Sequence, residues 1–276
     1  MATLVPFALL SLPSPPSPVV FHAGPLALTY YGLSVALGIA VGTWLTGREL
    51  ARRGYDAVLT LEALVFVIPL GVAGARIYYV AVHLDVYAKP IKTGMEVWHG
   101  GLDFYGALAG GLLGLLLYCR LRGVSALVFA DAAAPGLILA QAVGRWGDYF
   151  NQEIFGRPSE LPWAIRIVQE KRPAQFADAA SFHPTFLYES LWDVLVCLAL
   201  LWVARRFAGR LRDGDVLLLY VSLYSFGRLL LETLRVDPTY LVGGTIRGNL
   251  LVSGVLALIS VLILFAKHSR TLGKSL

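Results

Sequence analysis

The sequence predicts an all-α integral membrane protein with about seven transmembrane helices. Hydrophobic residues make up 57% of its 276 residues and charged residues only 15%, whereas soluble domains carry about 25% charged residues. The apolar residues gather repeatedly into runs close to the roughly 20 residues that a helix needs to cross a bilayer. Most of the basic residues lie in short connections between these runs, which is typical of a polytopic membrane protein.

Seven apolar runs define the predicted spans. Because water is absent from the hydrocarbon core, each run must satisfy its own backbone hydrogen bonds and is therefore predicted to be helical. The pair Gly71 and Gly74 and the series from Gly106 to Gly114 predict close packing between neighbouring helices. The predicted spans are 27–46, 59–81, 104–119, 124–143, 184–204, 214–234 and 247–266.

The basic residues predict the orientation of the chain in the membrane. Short cytoplasmic connections carry an excess of Lys and Arg, so the side that holds most of them is predicted to be cytoplasmic. The N-terminus is then outside and the C-terminus inside. The residues that indicate this side are Arg48, Arg52, Arg53, Arg120, Arg122, Arg205, Arg206, Arg210, Arg212, Lys267, Arg270 and Lys274.

The charge and cysteine content restrict the function further. The net charge of +5 is explained as an orientation signal, so no nucleic-acid partner is predicted. Cys119 and Cys197 lie within or at the end of apolar runs, and neither belongs to a metal-ligand cluster, so neither a disulfide framework nor a metal site is predicted. We expect a single integral membrane domain over residues 1–276, with a long periplasmic loop at about 144–183.

Polar residues form four clusters in or beside the apolar runs. The first combines Tyr31 in the first run with Arg76 in the second. An arginine within a span marks a site or a partner unless it reaches the headgroups. The second is the segment 99–106, whose paired glycines permit a close approach to a ligand or form a simple turn into the helix.

The third cluster is the segment 144–157, which is predicted to lie just outside the fourth span. Its Arg145 and Arg157 offer planar forks for bidentate hydrogen bonds with a phosphate. The acids Asp148 and Glu153 can hold the arginines in place or accept hydrogen bonds from hydroxyl groups. The alternative is a belt of interfacial aromatic residues with paired surface charges.

The fourth cluster is divided between 183–189, which opens the fifth span, and 227–235, which closes the sixth. The spacing of Arg228, Glu232 and Arg235 predicts that they share one helix face. A buried row of this kind is costly unless its charges are paired, and a structural ion network is the alternative to a site. Under the predicted topology all four clusters converge near the outer leaflet, which indicates an arginine-lined pocket for an anionic phospholipid headgroup.

In these segments the sequence resembles the prolipoprotein diacylglyceryl transferase family. The most specific match is Gly-Arg-Trp-Gly-Asp-Tyr-Phe-Asn-Gln-Glu at 144–153, followed by Gly-Arg at 156–157. The resemblance covers nearly the whole chain in the same order. The further matches are Tyr31-Gly32, Arg76, Gly-Gly-Leu-Asp-Phe-Tyr-Gly at 100–106, His-Pro-Thr-Phe-Leu-Tyr-Glu at 183–189 and Gly-Arg-x-x-x-Glu-x-x-Arg at 227–235.

The resemblance implies a seven-helix enzyme of the bacterial inner (cytoplasmic) membrane with its active site facing the periplasm. It implies transfer of the diacylglyceryl group from phosphatidylglycerol to the lipobox cysteine thiol of a prolipoprotein signal peptide. The products are a thioether and glycerol phosphate, and neither a metal nor a soluble cofactor is required. Phosphatidylglycerol, lipobox-containing signal peptides and membrane lipids are the implied partners.

The resemblance also implies the residues of the site. Arg145 and Arg228 would stabilise negative charge on the departing phosphate, and a base must take the thiol proton because the thiolate is the nucleophile. The implied catalytic residues are Arg145, Arg228, Glu153, Tyr105, Tyr31 and Glu232. The implied phospholipid-binding residues are Arg145, Arg76, Asp148, Asn151, Gly156, Arg157, Arg228, Arg235 and Glu189.

Two positions depart from the family pattern. Tyr105 stands where some members carry a histidine proposed as the base, and a phenol with an ordinary pKa of about 10 is a poor base at neutral pH. Asp148 stands where the pattern has asparagine and adds a negative charge beside the expected phosphate. A non-catalytic lipid-binding paralogue is therefore an alternative. A transporter is another, although the internal repeat common in transporters is not found in the sequence.

Overall fold

Helices dominate the part of the chain that the computed structural model describes, residues 12–15, 17–24, 26–83, 101, 103–236, 240–241 and 246–272. These residues form seven α-helices and three short strand pairs. The prediction of an all-helical fold is confirmed. The helices are α1 Tyr30–Arg52, α2 Val58–Val82, α3 Phe104–Arg122, α4 Ala126–Asn151, α5 Thr185–Arg206, α6 Asp215–Glu232 and α7 Gly248–Leu272.

Short antiparallel strand pairs occupy three of the segments outside the helices. β1 (Val19–Ala23) pairs with β2 (Leu26–Thr29) directly before α1. β3 (Ile165–Arg166) pairs with β4 (Ser181–Phe182) between α4 and α5. β5 (Tyr240–Leu241) pairs with β6 (Ile246–Arg247) between α6 and α7. These strands satisfy backbone hydrogen bonds where the chain turns between helices.

Five of the described helices are long and apolar enough to cross a membrane: α2, α3, α4, α5 and residues Gly248–Ser269 of α7. The protein is therefore a multi-pass membrane protein. α1 and α6 do not reach the same standard of length and composition. The 18 residues of α6 include Asp215, Arg228 and Glu232, and these charges lower its mean hydropathy. The count of seven spans and the orientation of the termini stay predictions.

The chain divides into two compact units, Met1–Trp44 with Ala134–Leu276, and Leu45–Ala133. In the second unit α2 and α3 pack backbone against backbone. A Cβ atom at Gly114 would lie 2.7 Å from the carbonyl oxygen of Phe66, and one at Gly110 would meet the carbonyl group of Leu70. The close packing predicted from the glycine spacing is confirmed for this helix pair. The expectation of a single domain over residues 1–276 stays a prediction.

The first unit contains the other helices and the long connection after α4. α1 approaches α4 closely, because a Cβ atom at Gly38 would lie 2.8 Å from the carbonyl oxygen of Ala140. The connection between α4 and α5 has a core of its own, which agrees with its many apolar side chains. The buried members of that core are Phe155, Ile165, Ile167, Phe182 and Phe186.

One predicted boundary is wrong: α4 does not end near residue 143 but runs to Asn151. The 26 residues of α4 correspond to about 39 Å of helix. The apolar run stops at 143 because polar residues follow, yet the helix continues, and its Arg145 pairs with Asp148 on α4 and with Glu189 on α5. The first eight residues of the predicted loop 144–183 are therefore helical.

Candidate active site

A row of alternating charges joins α4, α5 and α6 within the first unit. Arg145 Nη1 on α4 donates to Asp148 Oδ2 at 3.1 Å, and Arg145 Nη2 lies 2.7 Å from Glu189 Oε2 on α5. Arg228 on α6 donates from Nη1 to Glu189 Oε1 at 2.8 Å and from Nη2 to Glu232 Oε2 at 3.3 Å. The two arginines thus share one carboxylate, with a further acid at each end.

The two halves of this row differ in geometry. The Arg228–Glu189 contact is a hydrogen bond. The Arg145–Glu189 contact is a close ion pair in which Glu189 Oε2 receives no well-directed hydrogen bond. Arg145 is thus held by one hydrogen bond, to Asp148, and by this ion pair, whereas both contacts of Arg228 are hydrogen bonds.

The α6 end of the row is held by the beginning of α7. Asn249 Nδ2 donates to Glu232 Oε1 at 3.3 Å, and Arg247 Nη1 donates to the backbone carbonyl of Glu232 at 3.2 Å. Neither residue was predicted from the sequence. In the sequence, the only sign of such a role is that a basic residue and an amide residue stand at the start of the last apolar run.

The prediction that Arg235 shares a helix face with Glu232 is wrong. α6 ends at Glu232, so Arg235 lies beyond the helix and pairs through its backbone with Gly156. The backbone N–H of Arg157 also donates to Leu234 at 2.8 Å. The helix stops here because these bridges satisfy the backbone groups that a further turn would have used.

Gly156 occupies a position where a side chain would not fit. A Cβ atom there would lie 2.8 Å from the Cβ of His183 and 3.0 Å from the carbonyl oxygen of Leu234. The backbone N–H of Gly156 donates to the carbonyl of His183 at 2.9 Å. Gly156 therefore joins the segments before α5 and after α6, and the side chain of Arg157 is exposed.

Glu153 lies in a strained segment directly after α4. Its neighbours Gln152 and Ile154 have φ values of 50° and 52°, a left-handed conformation that is unusual for a β-branched residue. Both neighbours are anchored, because Val168 N–H donates to Gln152 Oε1 at 2.9 Å and Thr185 Oγ1 donates to the carbonyl of Ile154. Such strain persists only where the surroundings maintain it and is common at active sites.

Around the same segment, Asn151 is half-buried and Glu153 is exposed. The carbonyl of Asn151 accepts a hydrogen bond from the side chain of Lys171. The backbone N–H of Glu153 donates to the carbonyl of Asp148 at 2.9 Å. The backbone of Glu153 is thus anchored directly after α4, and its side chain is exposed.

Tyr31 on α1 lies against the helix that carries Arg145. A Cβ atom at Gly147 would be 2.7 Å from Cδ2 of Tyr31, so the glycine lets the tyrosine ring rest on the backbone of α4. The Tyr31 hydroxyl is within electrostatic range of Asp148, Glu153 and Arg145. The structure thus brings Tyr31 together with the third predicted cluster.

Arg76 and Tyr105 belong to the second unit. Arg76 is 7% exposed and donates from Nη1 to the carbonyl of Gly101 at 3.0 Å. Gly101 has φ of 76°, which explains the glycine at this turn.

Tyr105 stands at the beginning of α3. Asp103 caps this helix by accepting from the backbone N–H of Tyr105 at 2.8 Å, and the side chain of Tyr105 is half exposed. The neighbours His99, Gly100 and Leu102 lie outside the described residues.

A small cavity adjoins the charge row. Its volume is about 10 Å³, and it is lined by Glu189 and Arg228 together with Trp192, Asp193 and Tyr224. This volume suits about one water molecule. Asp193 is 3% exposed and was not predicted as a site residue, although it lies four residues after Glu189 and interrupts an apolar run.

The arginines of the row keep donors for a ligand. A guanidinium has five N–H groups, and the contacts to Asp148, Glu189 and Glu232 use both terminal nitrogen atoms of Arg145 and of Arg228 for one contact each. The remaining N–H groups can bind phosphate oxygens with charge-assisted hydrogen bonds. The arrangement is thus suited to holding an anion that develops charge.

The family model described as prolipoprotein diacylglyceryl transferase matches residues 18–266. A Frankia alni protein named phosphatidylglycerol–prolipoprotein diacylglyceryl transferase is 46% identical over 92% of this chain and 67% of its own length. A protein of the same name from Frankia casuarinae is 42% identical over 95% of this chain and 63% of its own length.

A third relative, from Streptomyces coelicolor, has the same name with the number 2 and is 42% identical over 83% of this chain and 72% of its own length. The chain spans about two thirds of the length of the two Frankia relatives. The match of the family model covers most of the chain, and the resemblance noted in the sequence is confirmed. The chain belongs to the prolipoprotein diacylglyceryl transferase family.

Proposed function

We propose that this protein transfers the diacylglyceryl group of phosphatidylglycerol to the thiol of a lipobox cysteine in a prolipoprotein signal peptide. The relatives are named for phosphatidylglycerol and for prolipoprotein as substrates. The structural observation that carries the proposal is the pair of partly buried guanidinium groups, Arg145 and Arg228, held by the one carboxylate of Glu189. Two cations beside one another in a site largely shielded from water suit a phosphodiester.

We infer a seven-span topology in the inner membrane, in which α1 and α6 cross together with the five more apolar helices. The charges in α6 do not prevent this, because Arg228 and Glu232 are paired within the protein, and paired intramembrane charges are typical of functional sites. With the N-terminus outside, alternate helices bring Arg52, Arg122 and Arg206 to the cytoplasmic side. The charge row then lies toward the periplasm.

The proposed reaction requires a carbon–sulfur bond to form while a carbon–oxygen bond breaks. The thiol loses its proton, which in the overall balance is taken up by the released phosphate monoester, and the sulfur attacks the diacylglyceryl carbon that carries the phosphate ester. Glycerol phosphate departs with the electron pair of the broken bond. Arg145 and Arg228 stabilise the charge that grows on the phosphate, and their positions are set before the reaction by Asp148, Glu189 and Glu232, as electrostatic catalysis requires.

The extra negative charge of Asp148 is compatible with this role. Asp148 is 6% exposed and is paired with Arg145 at 3.1 Å. The carboxylate thus fixes the arginine from the side away from Glu189. In the proposed site Asp148 holds the cation, while Tyr31 and Glu153 complete the polar surface beside it.

The arginines provide the test of the proposal. We expect Arg145→Ala and Arg228→Ala each to lower the rate of diacylglyceryl transfer by at least about 100-fold, the typical effect of removing one preorganised charge-stabilising group. Transfer is measured with labelled phosphatidylglycerol and a lipobox peptide, and membrane insertion is checked by fractionation. Arg166→Ala, at an exposed residue of β3, is the matched control. Transfer at the rate of the unaltered protein by either active-site variant would refute the phosphate role.

A further inference from the structure

Asp193 differs from every other buried carboxylate in the described part of the chain. The others all have an ion-pair partner. These pairs are Glu49 with Arg52, Asp131 with Arg53, Asp148 with Arg145, Glu189 with Arg145 and Arg228, Asp215 with Lys267 and His268, and Glu232 with Arg228. Asp193 is 3% exposed and takes part in none of the hydrogen bonds or ion pairs found among the described residues.

The surroundings of Asp193 contain polar groups but no direct partner. Arg145 and Arg228 act on it through space as cations, and Glu189 acts on it as an anion. Tyr220 and Tyr224 on α6 are the other titratable groups that face it. Together with Glu189, Tyr224 and Arg228 it lines the water-sized cavity. The surface that these residues expose to the cavity is apolar, so the cavity offers an ionised carboxylate no hydrogen-bond donor.

Apart from Glu153, which is exposed to solvent, the charges near the site already balance without Asp193. Asp148, Glu189 and Glu232 contribute three negative charges, and Arg145, Arg228 and Arg247 contribute three positive charges. An ionised Asp193 would make this region negative by one unit before any anion arrived. A buried carboxylate without a partner takes up a proton instead of remaining charged. The neutral acid is therefore the form that suits both the burial and an anionic ligand.

We propose that Asp193 is a positioning residue of the transfer reaction, which remains protonated beside Glu189 and Arg228. The neutral acid keeps the charges around Arg145 and Arg228 balanced, so that these arginines can accept the phosphodiester of a phospholipid. This inference rests on the proposed function. Asp193 lies one helical turn from Glu189 and was not among the site residues predicted from the sequence, so its protonation is a new feature of the proposed site.

The sign of the pH dependence follows from this assignment. When Asp193 loses its proton, one negative charge appears beside the two arginines and opposes the bound anion. Phospholipid binding should therefore weaken as the pH rises. Asp193→Asn has nearly the same shape and stays neutral, so its binding should not change with pH in this way.

The first experiment is infrared spectroscopy of the purified full-length protein in neutral detergent. We expect the carbonyl band of a protonated carboxylic acid that shifts on labelling with ¹³C-aspartate and is missing from Asp193→Asn. Asp178→Asn, at an exposed position, should retain the band. This measurement requires neither substrate nor turnover, and the labelling arm requires no variant. Absence of the band, or its persistence in Asp193→Asn, would overturn the proposal.

The second experiment measures binding of short-chain phosphatidylglycerol, with phosphatidylcholine as the zwitterionic comparison. From mildly acidic to alkaline pH, we expect binding by the unaltered protein and by Asp178→Asn to weaken roughly tenfold, the scale of one added charge nearby. Asp193→Asn should change less than about twofold, since it adds no charge. Equal pH dependence in all three proteins would overturn the role of Asp193. Failure of the unaltered protein to bind phosphatidylglycerol at any pH would overturn the proposed function, while the infrared band still decides the protonation of Asp193.

Discussion

The α2–α3 pair and the α5–α6 pair show two different ways to hold apolar helices together. Between α2 and α3 the contact is made by glycines, with Gly106, Gly110 and Gly114 buried along one face. Between α5 and α6 the contact includes the hydrogen bond from Arg228 to Glu189 at 2.8 Å. The first pair brings backbones together and the second pair brings charges together.

This difference indicates where stability and where function are located. In lipid, neighbouring chains are as apolar as the helices, so close packing of small residues is a sufficient means of association. Buried charges are a poor means, because desolvation can cost more than the ion pair returns. Glu189 and Arg228 are thus better explained by the chemistry of a site than by helix packing alone.

The largest effect is expected where the shared carboxylate is removed. Glu189→Gln leaves Arg145 and Arg228 buried near each other without the anion between them. We expect the free energy of unfolding to fall by about 3–5 kcal/mol, the cost of breaking a buried pair, together with loss of transfer. Unfolding in mixed detergent micelles measures the first and the labelled-lipid assay the second. Glu160→Gln, at an exposed residue, is the control, and an equal loss in both variants would contradict a special role for Glu189.

A smaller effect is expected where the glycine contact is disturbed. A Cβ atom at Gly110 would lie 2.9 Å from the carbonyl carbon of Leu70, whereas the nearest atom to one at Gly111 would be 3.7 Å away. We expect Gly110→Ala to lower the free energy of unfolding by about 1–3 kcal/mol through overpacking. Gly111→Ala, its neighbour on α3, should be neutral or stabilise by up to about 1 kcal/mol, the helix preference of alanine over glycine. If both variants unfold alike, backbone contact does not hold this pair.

The smallest effect is expected for a charge pair that lies at the surface. Glu62 and Arg122 connect α2 to α3, but their side chains are 34% and 49% exposed. Exposed pairs contribute little and are screened by salt. We expect Glu62→Gln to unfold almost as the unaltered protein does, with any difference disappearing at high salt. A loss as large as that of Glu189→Gln would show that burial is not what distinguishes the two pairs.

The sequence predicted the helices well because their signal is local. The apolar runs placed the start of α5 at 184 and the structure begins it at Thr185. The apolar run 124–143 predicted the end of α4 wrongly, because the polar and aromatic residues from Gly144 to Asn151 are also helical. Polarity predicts exposure to water, and it misleads where the polar side chains are paired inside the protein.

Part of the site could likewise be predicted from local spacing. Arg228 and Glu232 are four residues apart on one helix and do form an ion pair. Arg235 continued the same spacing but lies beyond the end of α6. Asp193 interrupts an apolar run and Asn249 stands near the start of one, but neither has a spacing that links it to the charge row, so their place beside that row could not be predicted.

By itself, the sequence determined the class of the protein, its helical runs, the glycine face of α3 and the family, because each depends on residue type and on distance along the chain. The tertiary structure alone decided that Glu189 is shared by two arginines, that Tyr31 rests on Gly147, and that Asp193 has no ion-pair partner among the described residues. Charge pairing depends on side chains that are distant in sequence and on the burial that strengthens or penalises them. Only packed helices bring those groups within hydrogen-bonding distance.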